Sequence, residues 1–399
     1  MGIGRDLIAD FVPSAYDAIV VGAGFAGAVC ARSLAERANM RVAVLERRGN
    51  VAGNAYDQVD SAGILVHQYG PHIYHTNDER VHQFLSRFAT FNDYQYRVLA
   101  DVHGLRMPVP FNKRSLLLAF GQEEGKRLYK KLVRTFGKHK AVTLMSLRKK
   151  NDEDLVRIAD YVYENIYRQY TIKQWGVLPE QVDEEIIGRV PIWVGKDDRY
   201  FPWATYQGVP TQGYTALFAR MLDHDLISVF LGVDARDVLR VEDGRLRVCD
   251  EPYGGEVVYT GALDEFFSMD LGPLPYRTVE MEFLTFEVDQ YQPVGTIHYT
   301  VDEEYTRVSE FKHMTGQELA GKTTIVREYP KPYVPGSGQT PCYVMHSSES
   351  VRLYKQYYER VENVLNFHVV GRLAEYRYYD MDGAVASALA LSDEIIEQR

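Results

Sequence analysis

An α/β fold is predicted for this 399-residue chain by three features of its pattern: a strand, glycine turn, helix and strand unit near the start, a long helical stretch in the middle, and a return to strand periodicity before a final helix. Residues 17–21 are a short apolar run of the buried-strand type. They lead into Gly22-Ala-Gly24-Phe-Ala-Gly27, an apolar-periodic helix through Ala35, and a second apolar run at 41–45 that ends at Glu46. This is a βαβ unit, two parallel strands joined by a crossover helix. Residues 47–76, rich in Gly, Asn, Asp and His, read as loops and short strands.

From 113 to 170 apolar residues recur at helical spacing, most clearly over 123–133 and 152–163, so a helical unit is expected there. Between 227 and 258 the period falls to two, with Asp243-Gly244 marking a hairpin turn. A second β-rich block spans 280–343. The chain closes with a helix over 350–363, a short strand at 367–370, the loop Gly371-Arg372 and a helix from about Gly383. The order implies a discontinuous nucleotide-binding domain (16–90, 210–270 and 365–399) after an extension, 1–15. It also implies a helical domain (113–185) and a β-sheet domain (91–112, 189–209 and 275–350).

Composition fits a folded globular protein, with 46% hydrophobic and 25% charged residues. A net charge of −10 provides no global positive field for nucleic acid or an anionic membrane surface, so neither is an expected partner and an anionic ligand needs local cations. Cys30, Cys249 and Cys342 are far apart and form no CxxC pair, which argues against a disulfide framework or a structural zinc site. With no signal-like segment in residues 1–15 and no run of 18 apolar residues, a cytoplasmic location without membrane insertion is expected. Tyrosine outnumbers the other aromatics, 29 against 17 Phe and 3 Trp, which suits a polar, ring-bearing ligand.

Gly22, Gly24 and Gly27 open a helix straight after a strand, where tight turning and close backbone approach let the helix N-terminus face a pyrophosphate. Glu46 stands at the end of the second strand, placed to accept from ribose hydroxyls. Alone the glycines could be a structural turn; strand, helix, second strand and acid in register point to a dinucleotide. The βαβ unit leaves FAD and NAD both open. The C-terminal return through Gly371-Arg372 and residues 378–383 to a second helix N-terminus fits a large cofactor enclosed by both ends of the chain, FAD. Residues 257–264 add a strand running into a tight turn, a form also compatible with an ordinary strand end. The His72-x-x-His75 spacing lacks the further ligands a metal needs, and no metal is expected.

The motifs Val21-Gly-Ala-Gly-Phe-Ala-Gly27, Gly53-Asn54-Ala-Tyr56, Gly70-Pro-His72-Ile73-Tyr-His75, Tyr170-Thr-Ile-Lys-Gln-Trp175, Tyr305-Thr-Arg307 and Gly371-Arg372 through Tyr378-Tyr-Asp380-Met381 together resemble the bacterial UDP-galactopyranose mutase family, from Tyr16 to the end. The resemblance implies a Rossmann-like FAD-binding domain with an inserted helical domain and an antiparallel β-sheet substrate domain. It also implies an isomerase that interconverts UDP-galactopyranose and UDP-galactofuranose for galactofuranose and cell-wall biosynthesis, with UDP as the leaving and returning group. In such enzymes N5 of reduced FAD is the covalent nucleophile at the anomeric carbon, with no net redox change. A homo-oligomer, dimer or larger, is implied.

By the same resemblance Arg189 and Arg307 match the diphosphate-binding arginines, and Tyr200, Tyr343 and Tyr378 match phosphate-facing positions. Tyr167, Tyr170 and Trp175 match nucleotide and lid positions, the lid covering about 170–188 with Gly176 as its hinge. Catalytic weight falls on Arg307, Arg189 and His72. Cofactor positions are Gly22, Gly24, Phe25, Ala26, Gly27, Glu46, Arg47, Gly53, Asn54, His72, Ile73, Val233, Gly371, Arg372, Asp380 and Met381, with Arg372 also substrate-binding. Ile166-Tyr167 stands where many relatives have two phenylalanines. Ile297-His298-Tyr299 stands where Asn is common, and no role is assigned to His298. The competing reading is an FAD-dependent oxidoreductase of the amine oxidase type, which leaves the paired arginines and the Tyr-Thr-x-Lys-Gln-Trp motif without a purpose.

Overall fold

The computed structural model describes residues 11–179 and 190–399. At its centre is a five-stranded sheet in the order Ile227–Leu231, Val42–Glu46, Ala18–Val21, Glu256–Tyr259, Phe367–Val369. Every pairing in it is parallel. A parallel sheet is covered on both faces, so its strands are near-continuous apolar runs, and Ala18, Ile19, Val20, Val42, Ala43 and Val44 are fully buried. The helix Phe25–Ala38 crosses one face and packs against the last helix, Met381–Glu397. Small buried residues (Ala28, Ala31, Ala35, Ala388) let the two approach closely enough for Cys30 Sγ to lie 3.5 Å from the Ala388 carbonyl oxygen.

A second, seven-stranded sheet runs Tyr343–Val344, Tyr276–Phe286, Thr323–Pro332, Arg307–Glu310, Thr296–Tyr299, Val98–Val102, Leu105–Val109. It is antiparallel except where Thr296–Tyr299 pairs in parallel with Val98–Val102, because the 98–109 hairpin joins from a distant part of the chain. The register places His298 opposite Arg307 and Arg307 opposite Glu328, so three chemically active side chains stand in one row on one face.

The helical part has recognisable N-caps: Asn112 in a capping box, Thr143 on Ser146 N–H, and Asp152 on the N–H groups of Asp154 and Leu155. The helical run expected over 152–163 continues to Trp175 but is interrupted. Glu153–Val162 passes through a π-helical turn, Tyr163–Arg168, into Gln169–Trp175, which ends at Gly176 with φ 73°. The wider turn rotates the following residues around the axis, and such turns cluster at functional sites. The 239–248 hairpin turns at Asp243 and Gly244 as expected, both at positive φ. The helix predicted over 350–363 spans Ser348–Tyr358, started by a Ser347/Ser350 capping box, and the final helix begins at Met381. Among the described residues no helix is long and apolar enough to cross a membrane.

Candidate active site

The first strand delivers the chain to a cradle in which glycine is sterically required. Gly22 has φ 97°, and a Cβ on it would lie 2.2 Å from Thr260 Oγ1, which donates to the Val21 carbonyl at 2.7 Å. A Cβ on Gly27 would meet the Gly22 carbonyl oxygen at 1.9 Å. Gly24 caps the helix without a side-chain hydrogen bond, so the first-turn N–H groups remain open to an anion. Glu46 is buried; its Oε2 accepts from Ala23 N and its Oε1 from Arg48 N, each at 2.9 Å.

A cavity of about 250 Å³ opens over this turn, lined by Gly22, Gly24, Phe25, Ala26, Glu46, Arg47, Gly53, Asn54, His72, Val233, Gly371, Arg372, Asp380 and Met381. Both ends of the chain therefore enclose it, and the last helix presents a second N-terminus there, with Asp380 at the position that precedes its first turn. Of the cofactor positions, Gly27 does not line the cavity because it packs beneath Gly22, and Ile73 lines the neighbouring cavity instead. Thr260, from the strand-into-turn segment 257–264, also lines it, and Arg48, Asp234, Arg236 and Glu265 line it and were not anticipated. Arg47 is partly exposed and bridges to Glu265 at 2.9 Å, whereas Arg48 stacks over Tyr69 and donates to Asn54 Oδ1 at 2.8 Å. Its Nη1 is buried with no partner among the described residues. The adjacent Arg47-Arg48 pair was the available signal, but only tertiary packing chooses which of the two is buried.

A second cavity of about 470 Å³ adjoins the first and shares Asn54, His72, Arg372, Asp380 and Met381 with it. Tyr170, Trp175, Tyr200, His298, Arg307, Tyr343 and Tyr378 line it. Arg307 donates through Nε, at 3.0 Å, and Nη2 to Glu328 Oε2. Burial opposes the Arg307 charge, yet the Glu328 carboxylate and the surrounding phenols hold its pKa well above the ordinary value. Burial raises the Glu328 carboxyl, with Arg307 opposing, and Glu328 Oε1 has no hydrogen-bond partner among the described residues. Arg372 lies over the rings of Tyr343 and Tyr378 at 5.3 and 5.4 Å and donates to the Cys342 carbonyl at 2.6 Å. Trp175 packs edge-on against the same two rings, and Tyr170 stacks on His298 at 5.0 Å.

Burial pushes the Tyr343 phenol up to about 12, so it stays a donor at neutral pH. Burial, followed by His67 and the nearby arginines, lowers His72 to about 3, which keeps it neutral. His72 Nδ1 lies 2.8 Å from the Gly70 carbonyl, a geometry that assigns the proton to Nδ1 and a lone pair to Nε2. Tyr167, within the π turn, lines neither cavity and packs on the main core. Arg189 and the lid residues 180–188 lie outside the described residues. Sequence reasoning missed Glu328 and left His298 without a role. Their signal lay in strand alternation, which carries no chemistry until the register aligns them with Arg307.

Fold and site together define a dinucleotide-binding α/β protein whose cradle opens onto a second cavity lined with arginine and tyrosine. The chain belongs to the UDP-galactopyranose mutase family, whose model matches residues 165–378, while an NAD(P)-binding Rossmann-like model matches 20–88. It is 33% identical over 387 residues to UDP-galactopyranose mutase of Mycoplasma pneumoniae, covering 96% of each chain. It is 32% identical over 373 residues to dTDP-fucopyranose mutase of Escherichia coli, covering 93% of this chain and 96% of the relative. Its fold matches the crystal structure of reduced UDP-galactopyranose mutase with a TM-score of 0.72 over 96% of both chains at 13% identity.

Proposed function

We propose that this chain is a flavin-dependent mutase that interconverts the pyranose and furanose forms of a nucleotide-diphosphate sugar, UDP-galactose being the first candidate, with reduced FAD and no net redox change. The observation that carries the reading is the junction of the two cavities, where Arg307 and Arg372 face a space continuous with the dinucleotide cradle. The cradle suits FAD: the Gly22–Gly27 turn and helix N-terminus would hold its diphosphate, Glu46 a ribose, and Asn54, Gly371, Asp380 and Met381 the ring-bearing half. When bound, reduced FAD supplies the nucleophile, N5, at the sugar's anomeric carbon.

The chain's own residues then position and neutralise. Arg307 holds the diphosphate as it departs and returns, with Arg189 assigned to the same task, and charge-assisted donation to phosphate stabilises the leaving group. Tyr343 donates as a neutral phenol, while neutral His72 offers a lone pair at the junction. The rings of Trp175, Tyr343 and Tyr378 exclude water from the reacting carbon. Residues 170–188 are assigned as the lid and a homo-oligomer as the working form.

The test is anaerobic incubation of flavin-loaded protein with UDP-galactofuranose, and in parallel with dTDP-fucofuranose, with and without dithionite, resolving the sugars by chromatography. Conversion only with dithionite is expected, and the faster substrate identifies the sugar. No conversion of either, together with oxygen consumption on an amine, would assign the chain to the oxidoreductases instead.

A further inference from the structure

Lys173 belongs to the Tyr-Thr-x-Lys-Gln-Trp motif, yet it lines neither of the two cavities. Its Nζ donates to three main-chain carbonyls, those of Tyr299 at 2.6 Å, Glu303 at 2.8 Å and Tyr305 at 3.4 Å. Three acceptors use the full donor set of an ammonium. All three lie along the turn that joins Thr296–Tyr299, which carries His298, to Arg307–Glu310, which carries Arg307. Lys173 itself sits between Tyr170 and Trp175 on the helix Gln169–Trp175. The end of that helix is held separately: Arg277 Nε donates to the Gln174 carbonyl and its Nη2 to the Lys173 carbonyl, both at 3.0 Å.

We propose that Lys173 is a positioning residue for the nucleotide cavity, gripping the 299–305 turn from the helix so that the aromatic wall (Tyr170, Trp175) keeps register with the strand wall that carries Arg307 and His298, and that loss of its proton releases the grip. What the cavity binds rests on the function proposed above; the grip does not. Burial pulls the Lys173 ammonium down to about 8, with Glu303 and Asp302 opposing. The groups around it are Asp302 and Glu303 on the turn, His298 on the adjacent strand, and Arg277 from Tyr276–Phe286; Asp302 also pairs with His103 at 2.8 Å. The lowered value means that the unfolded chain binds this proton more tightly than the folded one. Raising the pH through 8 therefore relieves the cost of burying the charge and does not destabilise the fold, while the charge-assisted hydrogen bonds of the grip are lost.

The experiment uses flavin-loaded protein carrying 5-fluorotryptophan, with the Trp175 signal assigned by Trp175→Phe, followed by 19F NMR from pH 7 to 9.5. UDP affinity is measured by calorimetry over the same range. In the unsubstituted protein the Trp175 resonance should shift or broaden with a midpoint near 8, and UDP should bind about tenfold more weakly at the upper end, the scale of one lost charge-assisted contact. Lys173→Arg, which keeps its charge, should abolish both pH effects. Lys173→Met should show the high-pH signal and the weak affinity throughout. A Trp175 resonance indifferent to pH, or a Lys173→Arg protein that titrates like the parent, overturns the proposal. If Lys173→Met does not fold, those two measurements still decide. Failure of the parent protein to bind UDP at any pH would strike the proposed function, while the fluorine signal would still judge Lys173.

Discussion

Replacing Arg307 by Met tests the site through two separable consequences. Nε and Nη2 of Arg307 are committed to Glu328, which leaves the outward N–H groups for an anion in the cavity. Hydrogen bonds involving a charged group contribute about 1.5–3 kcal/mol each, so loss of the arginine should weaken UDP binding by about 3 kcal/mol, or roughly 150-fold. The second consequence falls on Glu328, whose side chain is 1% exposed and would lose its partner. An unpaired buried charge costs about 3–5 kcal/mol, a loss limited here because the carboxyl, already raised by burial, takes up a proton. Arg307→Met should therefore melt lower and bind UDP poorly. Arg307→Met with Glu328→Gln should regain most of the melting temperature and none of the affinity. Calorimetry with UDP, thermal melts and the flavin absorbance of each purified protein read these effects independently. Retained yellow colour is expected in both, since Arg307 is assigned to the substrate. A double variant that binds UDP within about threefold of the parent would refute the assignment of Arg307 to the diphosphate.

Gly27→Ala should yield protein without bound flavin, because its Cβ would fall 1.9 Å from a backbone oxygen and force the cradle helix away; the absorbance ratio of purified protein checks this. Gly244→Ala is the control: it has φ 70° but nothing within 4 Å, so it should keep its flavin and lose only about 1–2 kcal/mol of stability to the added backbone strain. Burial holds His67 at about 4, below its unfolded value, so the stability it contributes is full above pH 6.5 and falls as acid protonates the unfolded chain. Between pH 6.5 and 4 this amounts to about 3 kcal/mol. His67→Gln, which can still accept from the His72 backbone N–H, should reduce the pH dependence of urea unfolding over that range, with His72 still contributing, and unchanged slopes would contradict the reading. UDP should alter Trp175 fluorescence, since its ring packs on Tyr343 and Tyr378 in the cavity wall; saturation without change would place UDP elsewhere.

Much of the cradle was legible because its determinants are local. A buried parallel strand is a short apolar run, a glycine turn needs glycine for steric reasons, and Glu46 follows its strand directly. Ala18–Val21, Phe25–Ala38 and Val42–Glu46 accordingly fall within a few residues of the predicted bounds. The π turn at Tyr163–Arg168 was not legible, since one widened turn barely disturbs the apolar spacing of a tyrosine-rich helix. It separates the fates of two similar residues: Tyr170 reaches the cavity and stacks on His298, while Tyr167 packs on the core.

The sequence by itself determined the dinucleotide cradle and the family, because these rest on patterns within short stretches of chain. The tertiary structure alone decided the second cavity. Helix 169–175, four strands of the mixed sheet and the Gly371-Arg372 loop come from distant parts of the chain, and strand register sets His298, Arg307 and Glu328 in one row. The charge states follow from that assembly. Burial beside particular partners keeps His72 neutral, Arg307 ionised and Lys173 close to losing its proton, and burial is a property that no local stretch of sequence possesses.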